Sequence, residues 1–568
     1  MLGRRRSLVA VATSVVVAGM LAVPAGSASS LPVPAGGPGR SIPPAGGCTD
    51  PGAPAFALHG LSPRQLAAAY DVAPLWAAGD EGADQSVALL LVGDGFSASR
   101  FQEFEACFGP YPPPPSPLAT ATTVLGSTPP AQKEGILDPQ AVAAIAPEAH
   151  IYMFVSGPGY SLFQALPKLM AAALDPANTG NRLVDSISMS FDACEARWLA
   201  SYMPDMQAMQ DELNLADSLG VAVFVPIGDG GSVNSYTTST GQTACIEGDD
   251  IISKVKHYKD LSLGINYPAS SPEVTAVGGT ELAINGTIPL SGSPQGGTIT
   301  NERVWNEPKS GRVLAHGPTF WYAGAGGQSR IFTVADAPWE ADIGVSGPEE
   351  KPDIAALAGS PKYLYGGIGT SGSSPFMAGA IADLDEFLEQ HGAPPIGPLD
   401  PTLYNIAAKP PLYDRVFNDI TTGTSNMLHI NSGPLDCCKA TTGYDMASGL
   451  GSLNVAELGD VLLAQPQLRV PWTTLGLSVR SGAPLTAIAV TNNVLKGTPY
   501  AINMFINGKL ATECTASPCT ASATGPAQVT ADVGPPGTAP FTAEAIVSAK
   551  ETLIVPPTKT HCRGSSCT

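Results

Sequence analysis

At residues 369–375 the chain reads GTSGSSP, and it continues as FMAGA to residue 380. The apolar spacing from Ala378 to Leu388 is typical of a helix that packs on a sheet, so Ser371 is expected where a helix begins. Free backbone N–H groups at such a helix end can stabilise a developing oxyanion. Gly369 would allow a substrate to approach closely, and Pro375 suits a first helical turn. The stretch therefore indicates either a nucleophilic serine or an ordinary Gly/Ser loop that opens a helix.

Strands and helices alternate from about residue 60, which predicts an α/β domain with a doubly wound parallel sheet covered on both faces. The apolar run VALLLV at residues 87–92 is typical of a buried parallel strand. Further strands are predicted at residues 151–155, 184–190 and 221–225, and helices at residues 97–107, 141–146, 162–174 and 206–218. Ligands of such sheets bind at the carboxyl ends of the strands, so the loops after Val155, Ser190 and Val225 form the expected floor of a site.

Two groups of acids fall near such positions. The sequence EGILD puts Glu134 and Asp138 four residues apart, on one face if the segment is helical. Two carboxyls held together share a proton and titrate as a unit, whereas a solvated pair of surface acids has no such property. Asp229 lies in the sequence IGDGG directly after the strand at 221–225. There it is either a turn residue or an acid whose protonated form donates a hydrogen bond to an oxyanion.

Together these residues resemble the motifs of the sedolisin (serine–carboxyl peptidase) family, which has a subtilisin-like fold. Members carry a glutamate and an aspartate four residues apart, an aspartate in a glycine-containing loop and a serine in Gly-Thr-Ser. Here they stand in the same order as Glu134, Asp138, Asp229 and Ser371. The resemblance covers about residues 60–460 and includes YPASSP at 267–272, VGGT at 277–280, VWN at 304–306 and PDI at 352–354. A Ser–His–Asp mechanism fails, because none of the seven histidines stands in the helix motif that it needs.

The resemblance implies a serine-type endopeptidase that hydrolyses peptide bonds at acidic pH through an acyl-enzyme. Ser371 would be the nucleophile, Glu134 its general base and Asp138 the residue that holds and tunes Glu134. Asp229 would be protonated and would stabilise the tetrahedral oxyanion. The expected partners are polypeptide substrates, and a formal net charge of −20 argues against nucleic acid. We expect a monomer.

The resemblance also implies one bound calcium ion near the end of the catalytic domain. Family members hold it with two aspartates and three backbone carbonyls. The matching groups are the side chains of Asp419 and Asp445 and the carbonyls of Ile420, Thr441 and Gly443. These are hard oxygen ligands of the kind that calcium prefers. Outside the family context, the two aspartates would indicate turns.

Three features depart from the family pattern. Only about thirty residues separate Ala28 from the catalytic region, so the usual large prodomain is expected to be absent. Pro139 follows Asp138 directly, and a proline inside a helix kinks or breaks it. Where some members carry a further glutamate and a tryptophan, this chain carries Leu91 and Met189. These departures leave open a catalytically impaired relative that acts as a secreted or surface binding protein.

Five segments are expected along the chain. Arginines at 4–6, an apolar run at 8–23 and small residues at 26–28 predict a signal peptide over residues 1–28 and therefore secretion, with an uncleaved anchor as the alternative. Residues 29–59 form a Pro/Gly-rich linker and residues 60–464 the sedolisin-like peptidase domain. Residues 465–557 alternate apolar and polar positions as in an all-β sandwich, immunoglobulin-like in type, and residues 558–568 form a cysteine-containing tail. The sandwich suggests contact with a cell surface or matrix.

Ten cysteines in an exported chain indicate disulfides rather than metal clusters. Sequence proximity and order suggest four pairs, which are Cys514–Cys519, Cys562–Cys567, Cys48–Cys107 and Cys194–Cys245. The adjacent Cys437 and Cys438 either form a vicinal bridge or stay unpaired.

Overall fold

The computed structural model describes residues 39–46, 59–109, 118–180, 183–238, 240–245, 261–289, 294–308, 321–363, 367–427, 435–469, 475–480, 485–491, 501–515, 519–523, 527–534, 541–547, 562–563 and 566–567. The predicted signal peptide lies outside these residues, as does most of the predicted linker. Within the described ranges, we find no helix with the length and apolar character needed to cross a membrane.

A mixed sheet forms the centre of the described chain. Its nine strands, in chain order, are β1 (Ser41–Ile42), β2 (Ser86–Val92), β3 (Ala119–Leu125), β4 (His150–Ser156), β5 (Ser186–Met189), β6 (Ala222–Pro226), β7 (Thr275–Ile284), β8 (Gly297–Val304) and β9 (Ile354–Leu357). Across the sheet the order is β1-β8-β7-β6-β5-β2-β4-β3, and β9 also pairs with β7. The pairs of β8 with β1 and with β7 are antiparallel, and the remaining pairs are parallel. The predicted, mostly parallel sheet is therefore confirmed.

Helices cover this sheet on both faces. The α-helices of the described residues are α1 (Pro63–Ala69), α2 (Ala73–Ala78), α3 (Ala98–Phe108), α4 (Glu134–Ala143), α5 (Leu162–Ala173), α6 (Glu195–Ser201), α7 (Met203–Leu219), α8 (Thr370–Gln390), α9 (Asp400–Ala407), α10 (Pro410–Val416) and α11 (Val455–Ala464). Short 3-10 helices are found at Pro176–Asn178, Pro338–Ile343 and Pro466–Leu468.

The side chains of β2 show how the sheet supports two cores. Val87, Leu89 and Leu91 belong to the core that contains residues of α4, α8 and α11. Ala88 and Leu90 belong to the core that contains residues of α5, α6 and α7. Successive side chains of a strand point to opposite faces, so a run that is apolar at every position is suited to a strand buried on both sides.

Helix α8 begins at Thr370, which makes Ser371 its second residue and Pro375 its sixth. The prediction that Pro375 lies in the first turn is therefore wrong. Because proline has no N–H, the carbonyl of Ser371, four residues earlier, loses its partner within the helix. Pro139 is likewise the sixth residue of α4, and that helix continues through it to Ala143. In both helices, burial of the residues around the proline offsets the lost hydrogen bond.

Small antiparallel ribbons join the loops around the sheet. They pair Val233–Thr237 with Leu261–Leu263 and with Thr243–Cys245, Ala193–Cys194 with Asn266–Tyr267, Asn306–Pro308 with Trp321–Ala323, Gly327–Thr333 with Pro348–Lys351, and Phe417–Asn418 with Ser452–Leu453.

The described residues beyond α11 form antiparallel β-structure. One sheet has the order Leu475–Arg480, Leu485–Thr491, Cys519–Ala523, another has the order Lys509–Cys514, Ala501–Ile506, Ala527–Gly534, Phe541–Val547, and Cys562–Arg563 pairs with Ser566–Cys567. Asn507 and Gly508, with φ of 52° and 72°, form a two-residue turn between two of these strands. The immunoglobulin-like topology stays a prediction.

Among the residues whose side chains are described, three disulfides are found, which are Cys194–Cys245, Cys437–Cys438 and Cys514–Cys519. The predicted longer-range pair Cys194–Cys245 and the predicted local pair Cys514–Cys519 are confirmed. The adjacent Cys437 and Cys438 form the vicinal bridge. The predicted pair Cys562–Cys567 stays a prediction. Cys107 is also disulfide-bonded, and its predicted partner Cys48 lies outside the described residues.

The ammonium group of Lys351 is fully buried and is surrounded by acidic side chains. Its Nζ is 3.1 Å from Glu349 Oε1, 2.9 Å from Asp353 Oδ2 and 3.6 Å from Asp400 Oδ2. Burial opposes the charge on Lys351, but the surrounding carboxylates raise its pKa well above the usual range. Burial also raises the pKa values of Glu349 and Asp400 well above their usual range, and that of nearby Glu340 to about 8. The acids outnumber the single cation, so the cluster retains protons.

Candidate active site

Glu134 is the first residue of α4, and Asp94 holds this end of the helix. Asp94 lies two residues beyond the carboxyl end of β2. Its Oδ1 accepts a hydrogen bond from Gln132 N at 2.6 Å, and its Oδ2 accepts from Glu134 N at 2.8 Å and Gly135 N at 3.1 Å. The first N–H groups of a helix lack partners within it, and the helix dipole favours a carboxylate beside them. Asp94 therefore fixes Glu134 relative to the sheet.

Glu134 and Asp138 lie one turn apart on α4, and their charges interact. Burial raises the pKa of Glu134, while the Lys133 ammonium, 3.3 Å from Glu134 Oε1, opposes that shift. Burial and the charge of Glu134 raise the pKa of Asp138 well above its usual range. Glu134 Oε2 and Asp138 Oδ1 are buried atoms without a hydrogen-bond partner in the described part of the chain. Such a pair retains a proton that two solvated acids would release.

Asp229 follows β6 and bonds to the first residue of α8. Its Oδ1 accepts from both the N–H and the hydroxyl of Thr370, each at 2.8 Å. Thr370 Oγ1 in turn accepts from Gly228 N at 3.2 Å. Burial has the largest effect on the pKa of Glu134, and Lys133 opposes it. The negative charge of Asp229 raises the pKa of Glu134 further. Asp229 therefore lies at the N-terminus of the helix that carries Ser371, within electrostatic range of Glu134.

Gly369, the residue before α8, is required by the approach of Asp229. Its φ is 125°, which side-chain-bearing residues rarely adopt, and a Cβ there would lie 2.8 Å from Asp229 Oδ2. The space that this glycine leaves is thus occupied by the Asp229 carboxyl. The GTS motif at residues 369–371 and the GDG loop at residues 228–230 therefore contact each other.

Ser371 is half-buried, and no hydrogen bond of its hydroxyl is found within the described residues. Its carbonyl, which Pro375 leaves without a helical partner, accepts from Ser190 Oγ at 3.1 Å. The Ser190 hydroxyl also contacts the carboxyl of Asp138 through a side-chain hydrogen bond. Ser371 is therefore linked to Asp138 through Ser190. It is linked to Asp229 through Thr370, the residue before it in the chain.

Asp419 and Asp445 meet at the loop of residues 441–445. Gly443 N donates to Asp419 Oδ2 at 3.0 Å, and Thr441 N donates to Asp445 Oδ2 at 2.7 Å. Burial raises the pKa of Asp445, although hydrogen bonds from Thr441 and its neighbours oppose the shift. The described residues contain no group of three or more His, Cys, Asp or Glu side chains that could hold a metal. A cation here would depend on two carboxylates and backbone carbonyls, an all-oxygen donor set that fits calcium.

Asp94, Lys133 and Ser190 lie outside the motifs that predict the site. A signal for Asp94 is present, because GDG at residues 93–95 follows β2 as GDG at 228–230 follows β6. Ser190 was expected only as the end of a strand at the floor of the site. Lys133 precedes Glu134 directly, and nothing in the sequence shows that its ammonium accompanies buried acids.

No family model matches the chain. Among curated proteins it is similar to kumamolisin from Bacillus sp. (strain MN-32), with 27% identity over 413 residues that cover 69% of this chain and 61% of kumamolisin. It is 27% identical to xanthomonalisin from Xanthomonas sp. (strain T-22) over 304 residues, which cover 51% of this chain and 32% of that protein. It is 28% identical to physarolisin from Physarum polycephalum over 217 residues, 34% of this chain and 36% of that protein. The chain thus spans less than two thirds of the length of these relatives.

Among solved structures, Pseudomonas sedolisin complexed with two molecules of pseudo-iodotyrostatin aligns with a TM-score of 0.49 at 21% identity, over 68% of this chain and 94% of that chain. Glu134 is the first residue of α4, and Ser371 is the second residue of α8. The chain belongs to the sedolisin family.

Proposed function

We propose that the chain is a secreted serine–carboxyl endopeptidase that hydrolyses peptide bonds at acidic pH through an acyl-enzyme on Ser371. The observation that carries the proposal is the meeting of Asp229 with the N-terminus of α8, next to the coupled acids of α4. Asp229 Oδ1 accepts two hydrogen bonds from Thr370, and the Lys133 ammonium interacts with Glu134, Asp229 and Asp138. A serine beside three acids supports carboxyl-assisted acyl transfer.

In this mechanism, Ser371 Oγ attacks the carbonyl carbon of the scissile peptide, and its proton passes to Glu134. Burial raises the pKa of Glu134, which makes its carboxylate a stronger base than a solvated one. Asp138 retains the second proton of the pair and stabilises the orientation of Glu134. Glu134 then gives its proton to the leaving amine, and water cleaves the acyl-enzyme by the same steps in the opposite sense. The hydroxyl of Ser371 would meet Glu134 when substrate excludes water, as catalytic hydrogen bonds often tighten in the complex.

Asp229 would stabilise the oxyanion that forms during both steps. Its Oδ1 is engaged by Thr370, while Oδ2 lies beside Gly369 and is the oxygen on which a proton would be carried. A protonated Oδ2 and the N–H of Ser371, in the first turn of α8, are donors suited to a developing negative charge. The requirement for a protonated Asp229 and an unprotonated Glu134 favours an acidic optimum.

We also propose one calcium ion held by Asp419, Asp445 and the carbonyls of Ile420, Thr441 and Gly443. When bound, the ion would join two separate segments of the chain rather than take part in the chemistry. The signal peptide at residues 1–28, a monomeric state, and an immunoglobulin-like sandwich that contacts a cell surface or matrix belong to the same proposal.

The test is proteolysis by the purified chain. We expect cleavage of an unfolded protein with a maximum at about pH 3–5, where carboxyl groups control the reaction. Ser371→Ala should reduce kcat/KM about a thousandfold or more, since it removes the nucleophile. Mass spectrometry of the products at several pH values gives the rate and the cleavage positions, and calorimetry shows whether the variant is folded.

An optimum at neutral pH, or undiminished activity of Ser371→Ala, would contradict the mechanism. A folded chain that cleaves nothing at any pH would instead support the catalytically impaired binding protein. Some relatives are named tripeptidyl-peptidases, such as sed1 of Aspergillus fumigatus, 25% identical over 296 residues. Release of tripeptides from substrate N-termini, without internal fragments, would replace the endopeptidase assignment with that one.

A further inference from the structure

We propose that Ser190 is a positioning residue of the reaction, because its hydroxyl joins the carbonyl of Ser371 to the carboxyl of Asp138. The inference rests on the proposed peptidase function, and it adds a residue to the three acids and one serine of the motif. Ser190 follows directly after β5, and the end of that strand contacts α8 through Ser188 and Ser190.

Pro375 creates the need for this contact. A proline at the sixth position of α8 has no N–H for the carbonyl of the residue four positions before it, which is Ser371. That carbonyl accepts from Ser190 Oγ at 3.1 Å instead. The first turn of α8 is therefore held by a side chain of the sheet rather than by the helix itself.

Asp138 provides the second half of the link. Its side chain is 1% exposed, its Oδ1 has no hydrogen-bond partner within the described residues, and Ser190 bonds to its carboxyl. The charged groups that face Asp138 are Glu134 on the same helix, the Lys133 ammonium before it and Asp94 in the loop after β2. Unlike these charged groups, the Ser190 hydroxyl is neutral, and it also contacts α8, the helix that carries Ser371.

A hydroxyl has one proton to donate, so the link depends on the proton of Asp138. A protonated Asp138 can donate to Ser190 Oγ while Ser190 donates to the Ser371 carbonyl. An ionised Asp138 can only accept, and Ser190 must then leave either the carboxylate or the carbonyl without its donor. The chain of hydrogen bonds is complete only while Asp138 holds its proton. Ser190 thus transmits the protonation of α4 to the first turn of α8.

The experiment compares Ser190→Ala and Ser190→Thr with Ser188→Ala. Ser188 is a matched control, since it lies on β5 and its Oγ is 2.8 Å from Ser374 Oγ of α8, and no hydrogen bond among the described residues joins it to the acids of α4. For Ser190→Ala we expect kcat about tenfold lower with KM within about twofold, because the hydrogen bonds that position the first turn of α8 are lost. The acidic limb of the kcat profile should move, since the Ser190 hydroxyl no longer bonds to the carboxyl of Asp138. Ser190→Thr should restore both, and Ser188→Ala should leave the limb in place.

A second measurement does not depend on activity. A double-mutant cycle of Ser190→Ala with Asp138→Asn, measured as the melting temperature at about pH 4, should show that the two changes are not additive. If the parent is active and Ser190→Ala matches Ser188→Ala in kcat, pH profile and additivity, this inference is wrong. The proposed function is not affected by that result. A parent that cleaves nothing at any pH overturns the proposed function. In that case additive changes overturn the link as well, and non-additive changes support it as a contact between α4 and α8.

Discussion

Lys133 gives the candidate active site a positive charge. Its side chain is 55% exposed, whereas that of its partner Glu134 is 13% exposed, so the ammonium reaches the acid from the solvent side. Burial opposes the charge of Lys133, but Glu134, Asp229 and Asp138 raise its pKa. The cation therefore persists throughout the acidic range and favours the ionised form of the proposed base.

Replacing Lys133 by methionine should move the acidic limb of the activity profile to higher pH. Burial already raises the pKa of Glu134, and Lys133 holds that rise in check. Without the ammonium, the pKa of Glu134 rises further and the base stays protonated up to a higher pH. We expect rates on the acidic side of the optimum to fall several-fold relative to the parent, measured as kcat/KM on one peptide across the pH range.

Lys168→Met is the control for this change. Lys168 is an exposed lysine of α5, a helix that packs in the other core of the sheet. Its loss changes the net charge equally and should leave both limbs where they are. A Lys133→Met profile that coincides with the parent, or moves toward lower pH, would show that Lys133 does not control the base.

At the scale of elements, α4 depends on a residue of another segment for its start. Asp94 accepts three backbone N–H groups at this helix end and is itself 5% exposed. Asp94→Ala should lower the free energy of unfolding by about 2 kcal/mol, because a helix cap and buried donors lose their acceptor together. It should also lower kcat, since Glu134 loses its anchor. Denaturant unfolding and steady-state kinetics measure the two effects.

Asp175→Ala offers a comparison within the same chain. Asp175 caps the short 3-10 helix Pro176–Asn178, and its Oδ1 accepts from Ala177 N at 3.1 Å in an exposed setting. Because water can replace that acceptor, we expect a loss below about 1 kcal/mol and unchanged kcat. Equal losses for the two variants would mean that Asp94 is an ordinary cap.

Elements with a strong local pattern could be predicted closely. The run at 87–92 is β2 at Ser86–Val92, and the helix expected at 206–218 is α7 at Met203–Leu219. The start of α4 could not be predicted, because Pro139 locally favours a break while Asp94, forty residues away in sequence, caps the helix. The motif predicts Glu134, Asp138, Asp229 and Ser371 as site residues. Ser190 could not be predicted, because its hydrogen-bond partner Ser371 is 181 residues away in the chain.

At the scale of the whole molecule, the candidate calcium site connects with the candidate active site. The chain between Asp419 and Asp445 packs against the loop that follows Asp229. Ser232 N donates to the carbonyl of Ser425 at 2.9 Å, and the Ser232 hydroxyl donates to the carbonyl of Cys437. An ion that closes this segment would therefore also hold the loop of the proposed oxyanion donor.

Removing calcium at about pH 6 should lower the melting temperature of the parent, because an ion that binds only the folded chain stabilises it. Asp445→Ala should abolish that response, while Asp414→Ala, a change at an exposed aspartate, should retain it. Since burial raises the pKa of Asp445, protonation competes with the metal increasingly as pH falls, and the effect of chelator should shrink in acid. Scanning calorimetry with metal analysis checks this. A melting curve that chelator leaves unchanged, with no calcium found, would refute the site.

The acids around Lys351 make the stability of the fold depend on the pH of the surrounding solution. Burial raises the pKa of Glu340 from 4.5 to about 8, and those of Glu349 and Asp400 rise as well. Between those two pH values the folded chain holds protons that the unfolded chain has released, so stability is complete in acid and declines as pH rises. The protein would thus last longest where its proposed chemistry runs and would weaken in neutral surroundings. A shift from acid to neutral pH therefore removes part of the free energy that keeps this chain folded.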